Sequence, residues 1–253
     1  MKEKHYEWMK EDTAAIMFAS LLSDTQSRNF RLSVTLNDRI DPHVLRQAVS
    51  DMMPRFPGFC SRLTRGFFWA YLEHTDKMPE ICEDTERPAS IKRFGAAGGP
   101  DFRILYSKHS ISIEAGHAIA DGTGLMTFLN SVVARYLTLS GADTSECNGI
   151  LHADEKPSDG ELENAFERYY DGLKHKSIAR SSAYSLPYKP QRGVLRLIFA
   201  VMAPDDIKKI CKKLNVTVTE YFCSIIILSV IDSSSDKIRK PISIAVPVNL
   251  RKF

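Results

Sequence analysis

Charge of one sign is what this sequence lacks most plainly. Its 253 residues carry 34 basic and 31 acidic side chains, a net charge of +3, with no basic stripe, which argues against a nucleic-acid partner. Cysteine is scarce. Cys60, Cys82, Cys147, Cys211 and Cys223 are odd in number and contain no C-x-x-C pair, so neither a disulfide framework nor a zinc site is indicated and a reduced compartment fits. No apolar run reaches the ~20 residues that cross a bilayer, so no membrane span is expected. Lys2 and Lys4 are not followed by an apolar stretch, so no ordinary signal peptide is expected and a cytoplasmic location is.

What is present is core-forming material: 43% of the residues are hydrophobic, enough for one large or two smaller domains. Asp12 or Thr13 can cap a first helix carrying Ile16, Met17, Phe18, Leu21 and Leu22. Phe30, Leu32, Val34 and Leu36 alternate with polar residues as in a half-buried strand, and Asp41-Pro42 then opens a helix whose apolar face is Leu45, Ala48, Val49, Met52 and Met53. Short strands near 59–64 and 67–73 pair through Arg65-Gly66. Residues 74–100 are broken by Pro79, Pro88 and four glycine and proline positions near their end, and read as a loop with a strand near Ile91. A strand pair, 102–106 and 109–115, follows. Residues 140–160 read as a mobile surface loop and 161–173 as a short helix. Beyond them lie an irregular stretch, a strand at 195–202, a helix at 204–214, and an apolar helix opened by the capping box Thr217-Val-Thr-Glu220, expected to be buried. Ile242, Ile244, Val246 and Val248 suggest a closing strand.

The chain is organised around Ile111 to Gly124, I-S-I-E-A-G-H-A-I-A-D-G-T-G. Ile111, Ile113 and Ala115 fall on one face of a strand and Ser112 and Glu114 on the other, which predicts a half-buried strand, with His117 continuing the inner face. Asp121, Gly122 and Gly124 stop the strand, and Leu125, Phe128, Leu129, Val132, Val133 and Tyr136 recur at helical spacing. The pattern therefore predicts strand, loop and helix, with an imidazole at the strand's inner end. A neutral imidazole can take a proton near pH 7. Asp121 suits the helix start, in a structural role. A histidine in such a place is more often a satisfied core residue, and Asp-Gly before a helix more often a turn with a cap. His109 shares the strand face of His117, but at a spacing that does not make a metal pair.

His117-Ala-Ile-Ala-Asp121-Gly122 resembles the H-x-x-x-D-G motif of the CoA-dependent acyltransferase superfamily, which includes chloramphenicol acetyltransferase, peptide-synthetase condensation domains and the alcohol acetyltransferase-like proteins. Arg55-Phe-Pro-Gly-Phe-Cys-Ser-Arg-Leu63, Gly66-Phe-Phe-Trp-Ala-Tyr-Leu-Glu73 and Ala245-Val-Pro-Val-Asn-Leu-Arg251 are similar, in order and surroundings, to the last group. The resemblance implies an α/β fold, a chloramphenicol acetyltransferase-like mixed β-sheet with flanking helices. Residues 1–173 would form an N-terminal domain bearing the motif, 174–193 a crossover linker, and 194–253 the start of a second, incomplete domain. It further implies that His117 is the general base and that Arg251, in Asn249-Leu-Arg251, ties down Asp121 beside Gly122. An acyl group, acetyl foremost, would pass from acyl-CoA as co-substrate to a small-molecule alcohol or amine, with no metal or redox cofactor. A second copy of the chain or a C-terminal half would cover the apolar seam. Two departures matter: condensation domains and chloramphenicol acetyltransferase usually carry a second histidine where Gly116 stands, and relatives run on into a second domain of comparable size. Two alternatives stay open, a catalytically silent binding module and a carrier-protein-dependent condensation-type module, the latter disfavoured by Gly116.

Overall fold

The computed structural model describes residues 8–9, 15–16, 29–66, 70–85, 94, 98–161, 163, 168–169, 172, 182–186, 198–234 and 238–248. It forms two compact units, Met1–Gly172 and Leu173–Phe253. In chain order the first runs β1 (Trp8–Met9), β2 (Asn29–Thr35), α1 (Pro42–Met52), β3 (Ser61–Arg65), β4 (Ala70–His74), β5 (Glu80–Glu83), β6 (Phe102–Tyr106), β7 (Ser110–Gly116) and α2 (Gly122–Leu139). β2, β7, β6 and β5 form one sheet in that order, antiparallel except for the parallel β5–β6 pair, and β1, β4 and β3 form a second. The class is mixed α/β, a mixed sheet with flanking helices.

Asp41 caps α1 as its position before Pro42 requires, its Oδ1 accepting from the His43 and Val44 amides at 2.8 and 3.4 Å. The apolar stripe of α1 (Leu45, Ala48, Val49, Met52) and that of α2 (Leu125, Phe128, Leu129, Val132) close over Ile104, Ile111, Ile113 and Ala115 of the sheet. Phe128 is the hinge of this packing, stacked on Phe59 at 4.4 Å and met edge-on by Phe56 and Phe102.

Three expectations for this unit change. The stretch read as loop from 74 to 100 contains β5, whose Ile81 joins the core; four residues with flanking glutamates leave too little periodicity to read. The strand near Ile91 and most of the first helix, of which Ala15 and Ile16 are helical, lie outside the described residues. β7 is not half-buried: Ser112 and Glu114 are as inaccessible as Ile111 and Ile113. The segment 140–160 is irregular but tied down. Arg55, itself buried, holds Glu161 through two hydrogen bonds of 2.7 and 3.2 Å, and Leu151 donates its amide to Ser131 Oγ at 2.9 Å. This pairing pulls the Glu161 carboxyl down to about 2. Of the helix expected at 161–173, Arg168 and Tyr169 are helical and a 3₁₀ turn at Asp159–Glu161 stands at its start, and most of the rest lies outside the described residues.

The second unit contains α3 (Pro204–Leu214) and α4 (Val218–Asp232). Asn215, left-handed at φ 54°, ends α3. The capping box of α4 forms as its sequence predicts, Thr217 Oγ1 accepting from the Glu220 amide while Glu220 accepts from the Thr217 amide. α4 is not buried, however: Ile226 is 49% and Leu228 57% exposed. Its apolar residues circle the whole helix, and one neighbouring helix can cover only one side. No single helix among the described residues is long and apolar enough to cross a membrane. Residues 198–202 and 241–248, within stretches expected as strands, have no regular secondary structure and no ladder pairing among the described residues. Alternation shows that a segment suits a sheet; a partner strand must still supply the hydrogen bonds. The Tyr184 amide donates to the Pro241 carbonyl of the later stretch at 2.8 Å.

Candidate active site

β7 is the middle partner of β2 and β6, and its end delivers His117. Asn29 stands opposite Gly116 and Phe30 opposite Ala115. Beyond Gly116 the chain turns, the Ile119 amide donating to the Gly116 carbonyl at 3.2 Å. The His117 ring stacks on Phe30, centroids 4.2 Å apart and planes 24° from parallel. It is half-buried, on the apolar face as the strand parity predicts. Burial lowers its pKa below that of an ordinary imidazole, and a hydrogen bond with the Ala120 backbone and the charge of Asp121 oppose this more weakly. The ring is thus kept neutral, the form that accepts a proton.

Asp121 is the N-cap of α2. Its backbone is extended (φ −87°, ψ 178°), its Oδ1 accepts from the Gly124 amide at 2.8 Å and its carbonyl from the Leu125 amide at 3.0 Å. The cap fixes where α2 begins, and so the length of the turn that carries His117. Gly122 stands at the first helical position with open space where a Cβ would go. Gly124 is tighter, because a Cβ there would come within 3.3 Å of Asp121 Oδ1. Asn249 and Arg251 lie outside the described residues, and with them the expected Asp121–Arg251 pair.

The other face of β7 carries what the sequence did not reveal. Arg31 of β2, Glu114 of β7 and Arg103 of β6 are neighbours in register. Arg103 Nη2 lies 2.8 Å from one Glu114 oxygen and Arg31 Nη2 lies 2.7 Å from the other, while Arg31 Nη1 also reaches Asp84 at 2.7 Å. Glu114 is 0% and Arg103 1% exposed. One charged residue inside each of three apolar strands was the available signal, but it has meaning only once the register is known. Asp101, just before β6, is the second residue missed. Its carbonyl accepts from the Gly116 amide at 3.0 Å. Burial pushes its carboxyl up to about 7.

Cys60 is no rival nucleophile, because burial and then Asp76 push its thiol up to about 11, away from the reactive thiolate. A cleft of about 700 Å³ lies along α1 and α2, lined among others by Asp51, Arg135 and His152, and one of about 330 Å³ by Met53, Cys60, His74 and Asp76; His117 lines neither.

No family model matches the chain, and no curated protein does. Among solved structures it is similar to the starter condensation domain of rhizomide synthetase RzmA, at 13% identity and a TM-score of 0.43 over 55% of this chain and 40% of that one. Polyketide synthase associated protein 5 from Mycobacterium tuberculosis matches at 15% identity and a TM-score of 0.41 over 57% and 36%. The complex of the X-domain and OxyB from teicoplanin biosynthesis matches at 15% and 0.41 over 60% and 37%. The chain spans 36–40% of these structures' length. At these identities and TM-scores the similarity says nothing of the chemistry.

Proposed function

We propose that this chain carries the base of an acyltransferase of the alcohol acetyltransferase-like kind. His117 takes the proton from an alcohol or amine acceptor as the acceptor attacks the carbonyl carbon of an acyl-CoA thioester; the C–S bond then breaks, and the proton passes to the departing CoA thiolate. The observation that supports this most is the state of one ring. His117 is held at a strand end by stacking on Phe30, is only half-buried, and is kept uncharged by its surroundings. General base catalysis needs that form near neutral pH. The capped start of α2 limits the freedom of the turn, which counts because small misplacements of a base are expensive in rate. The role of Arg251 in holding Asp121 rests on the motif alone. In this reading acyl-CoA is a co-substrate, no metal or redox cofactor takes part, and the protein works in the cytoplasm.

The test is release of free CoA from acetyl-CoA with a panel of alcohols and amines. His117→Ala is expected to lower the rate about 10²- to 10⁴-fold, and kcat/KM of the unmodified protein to fall in acid with a midpoint below the ordinary imidazole value of 6.5. Equal rates for the two proteins would overturn the proposal and favour a silent binding module. Transfer from a phosphopantetheinyl carrier protein but not from CoA would favour the condensation-type reading.

A further inference from the structure

The turn after β7 fixes the backbone of His117 but does not by itself fix the plane of its ring. The turn is held at both ends, since the Gly116 amide donates to the Asp101 carbonyl at 3.0 Å and Asp121 caps α2. Within it the imidazole has a hydrogen bond with the Ala120 backbone. That bond engages one ring nitrogen and so distinguishes the ring from its flipped image, in which the two nitrogens trade places. It leaves the ring free to tilt about the bond. The second constraint comes from another strand. Phe30 of β2 stands opposite Ala115 of β7, and the position two residues beyond Ala115 on the same face is His117, a diagonal that an aromatic side chain can span. The Phe30 ring lies 4.2 Å from the imidazole, centroid to centroid, with the planes 24° from parallel. Phe30 is itself backed by the core, against which it packs half-buried.

A flat contact of this kind resists tilting, because turning one plane makes the rings collide on one side and part on the other. It favours the stacked orientation about 2- to 10-fold. It also closes one face of the imidazole. A proton is accepted at a nitrogen lone pair, which lies in the ring plane, so covering a face does not hinder the base. We propose that Phe30 is a positioning residue for the acyl transfer: stacking sets the plane of the His117 ring, and so the line along which its unbonded nitrogen meets the acceptor. This rests on the reading of His117 as the base. Leu32 and Val34 continue the same face of β2 but stand opposite Ile113 and Ile111, where there is no ring to orient.

Three measurements on the full chain test this. In the unmodified protein the His117 ring protons, assigned by their absence from His117→Ala, are expected upfield of an ordinary histidine's, because they lie over the Phe30 ring. Phe30→Leu, which keeps apolar bulk but has no flat face, is expected to lower kcat for CoA release about 2- to 10-fold with KM for acetyl-CoA unchanged. Phe30→Tyr restores the face and is expected to recover the rate. Leu32→Ala, which opens a cavity on the same strand face, is expected to lower stability and leave kcat as it was. Unshifted ring protons in the unmodified protein, an undiminished kcat for Phe30→Leu, or a failure of Phe30→Tyr to recover it would each contradict the inference. So would an equal fall in kcat for Leu32→Ala, which would report a general loosening of β2. The base reading fails separately: undiminished CoA release by His117→Ala, with the ring protons of the unmodified protein still shifted, would remove the reaction, and with it the role of Phe30, while leaving the stack itself.

Discussion

The two faces of β7 are buried by different physics. On one, Ile111, Ile113 and Ala115 lie under the apolar stripes of α1 and α2, and hydrophobic transfer holds them there. On the other, Ser112 and Glu114 are equally inaccessible, and Glu114 is there because two guanidinium groups hold its two oxygens. The apolar face tolerates loss in proportion to the volume removed, while the polar face tolerates no unmatched partner. His117 ends the first face, and Asp101, whose carboxyl burial pushes up to about 7, ends the second.

The sharpest way to break the comparison is Glu114→Ala, which leaves Arg31 and Arg103 buried without their shared anion. The expected loss is about 3–5 kcal/mol, read by urea unfolding. Phe128→Ala on the apolar face should lose a similar ~3–5 kcal/mol by opening a cavity. Replacing Arg31, Glu114, Arg103 and Asp84 together by methionine and leucine is expected to be neutral or stabilising. If the quadruple variant is as unstable as Glu114→Ala, the polar face is not held by mutual compensation.

A smaller effect, of opposite sign, is expected at the end of the polar face. The folded chain holds the Asp101 proton up to about pH 7, whereas an unfolded aspartate releases it near pH ~4. Between those values the native state binds the extra proton, so stability falls as pH rises through the window and stays low above it. Asp101→Asn cannot ionise and is expected to be more stable than the parent at pH 8 by about 2–4 kcal/mol and equal to it below pH ~4. A difference that does not depend on pH would refute this. The smallest change is expected away from the sheet: Leu228→Ser on exposed α4 should alter unfolding by no more than about 0.5 kcal/mol, against several for a core leucine such as Leu125.

How legible was this from the sequence? Where a single element carries its own signal, the reading was sound. Asp41-Pro42 and Thr217 to Glu220 mark helix starts by local hydrogen bonding, and the stripes of α1 and α2 follow from spacing. The H-x-x-x-D-G stretch likewise placed His117 at a strand end and Asp121 at a helix start. What failed depends on another part of the chain. Ser112 and Glu114 read as a solvent face because their partners, Ser33, Arg31 and Arg103, sit on other strands. Residues 198–202 and 242–248 belong to stretches that alternate as strands do, but alternation does not supply the neighbour, and none pairs with them among the described residues. Asp101 follows Gly98, Gly99 and Pro100 and reads as a turn residue; only the bare backbone of Gly116 opposite, seen once the strands are in register, gives its carboxyl a place.

Arg55 sets a practical limit on how this chain can be shortened. Its guanidinium is anchored from the far end of an irregular segment, so residues 141–161, which look dispensable after the last turn of α2, contain the anion that neutralises it. A domain trimmed at Gly141 would keep β1 to β7, α1 and α2 and still leave a stranded cation beneath its surface; any workable boundary lies beyond Glu161.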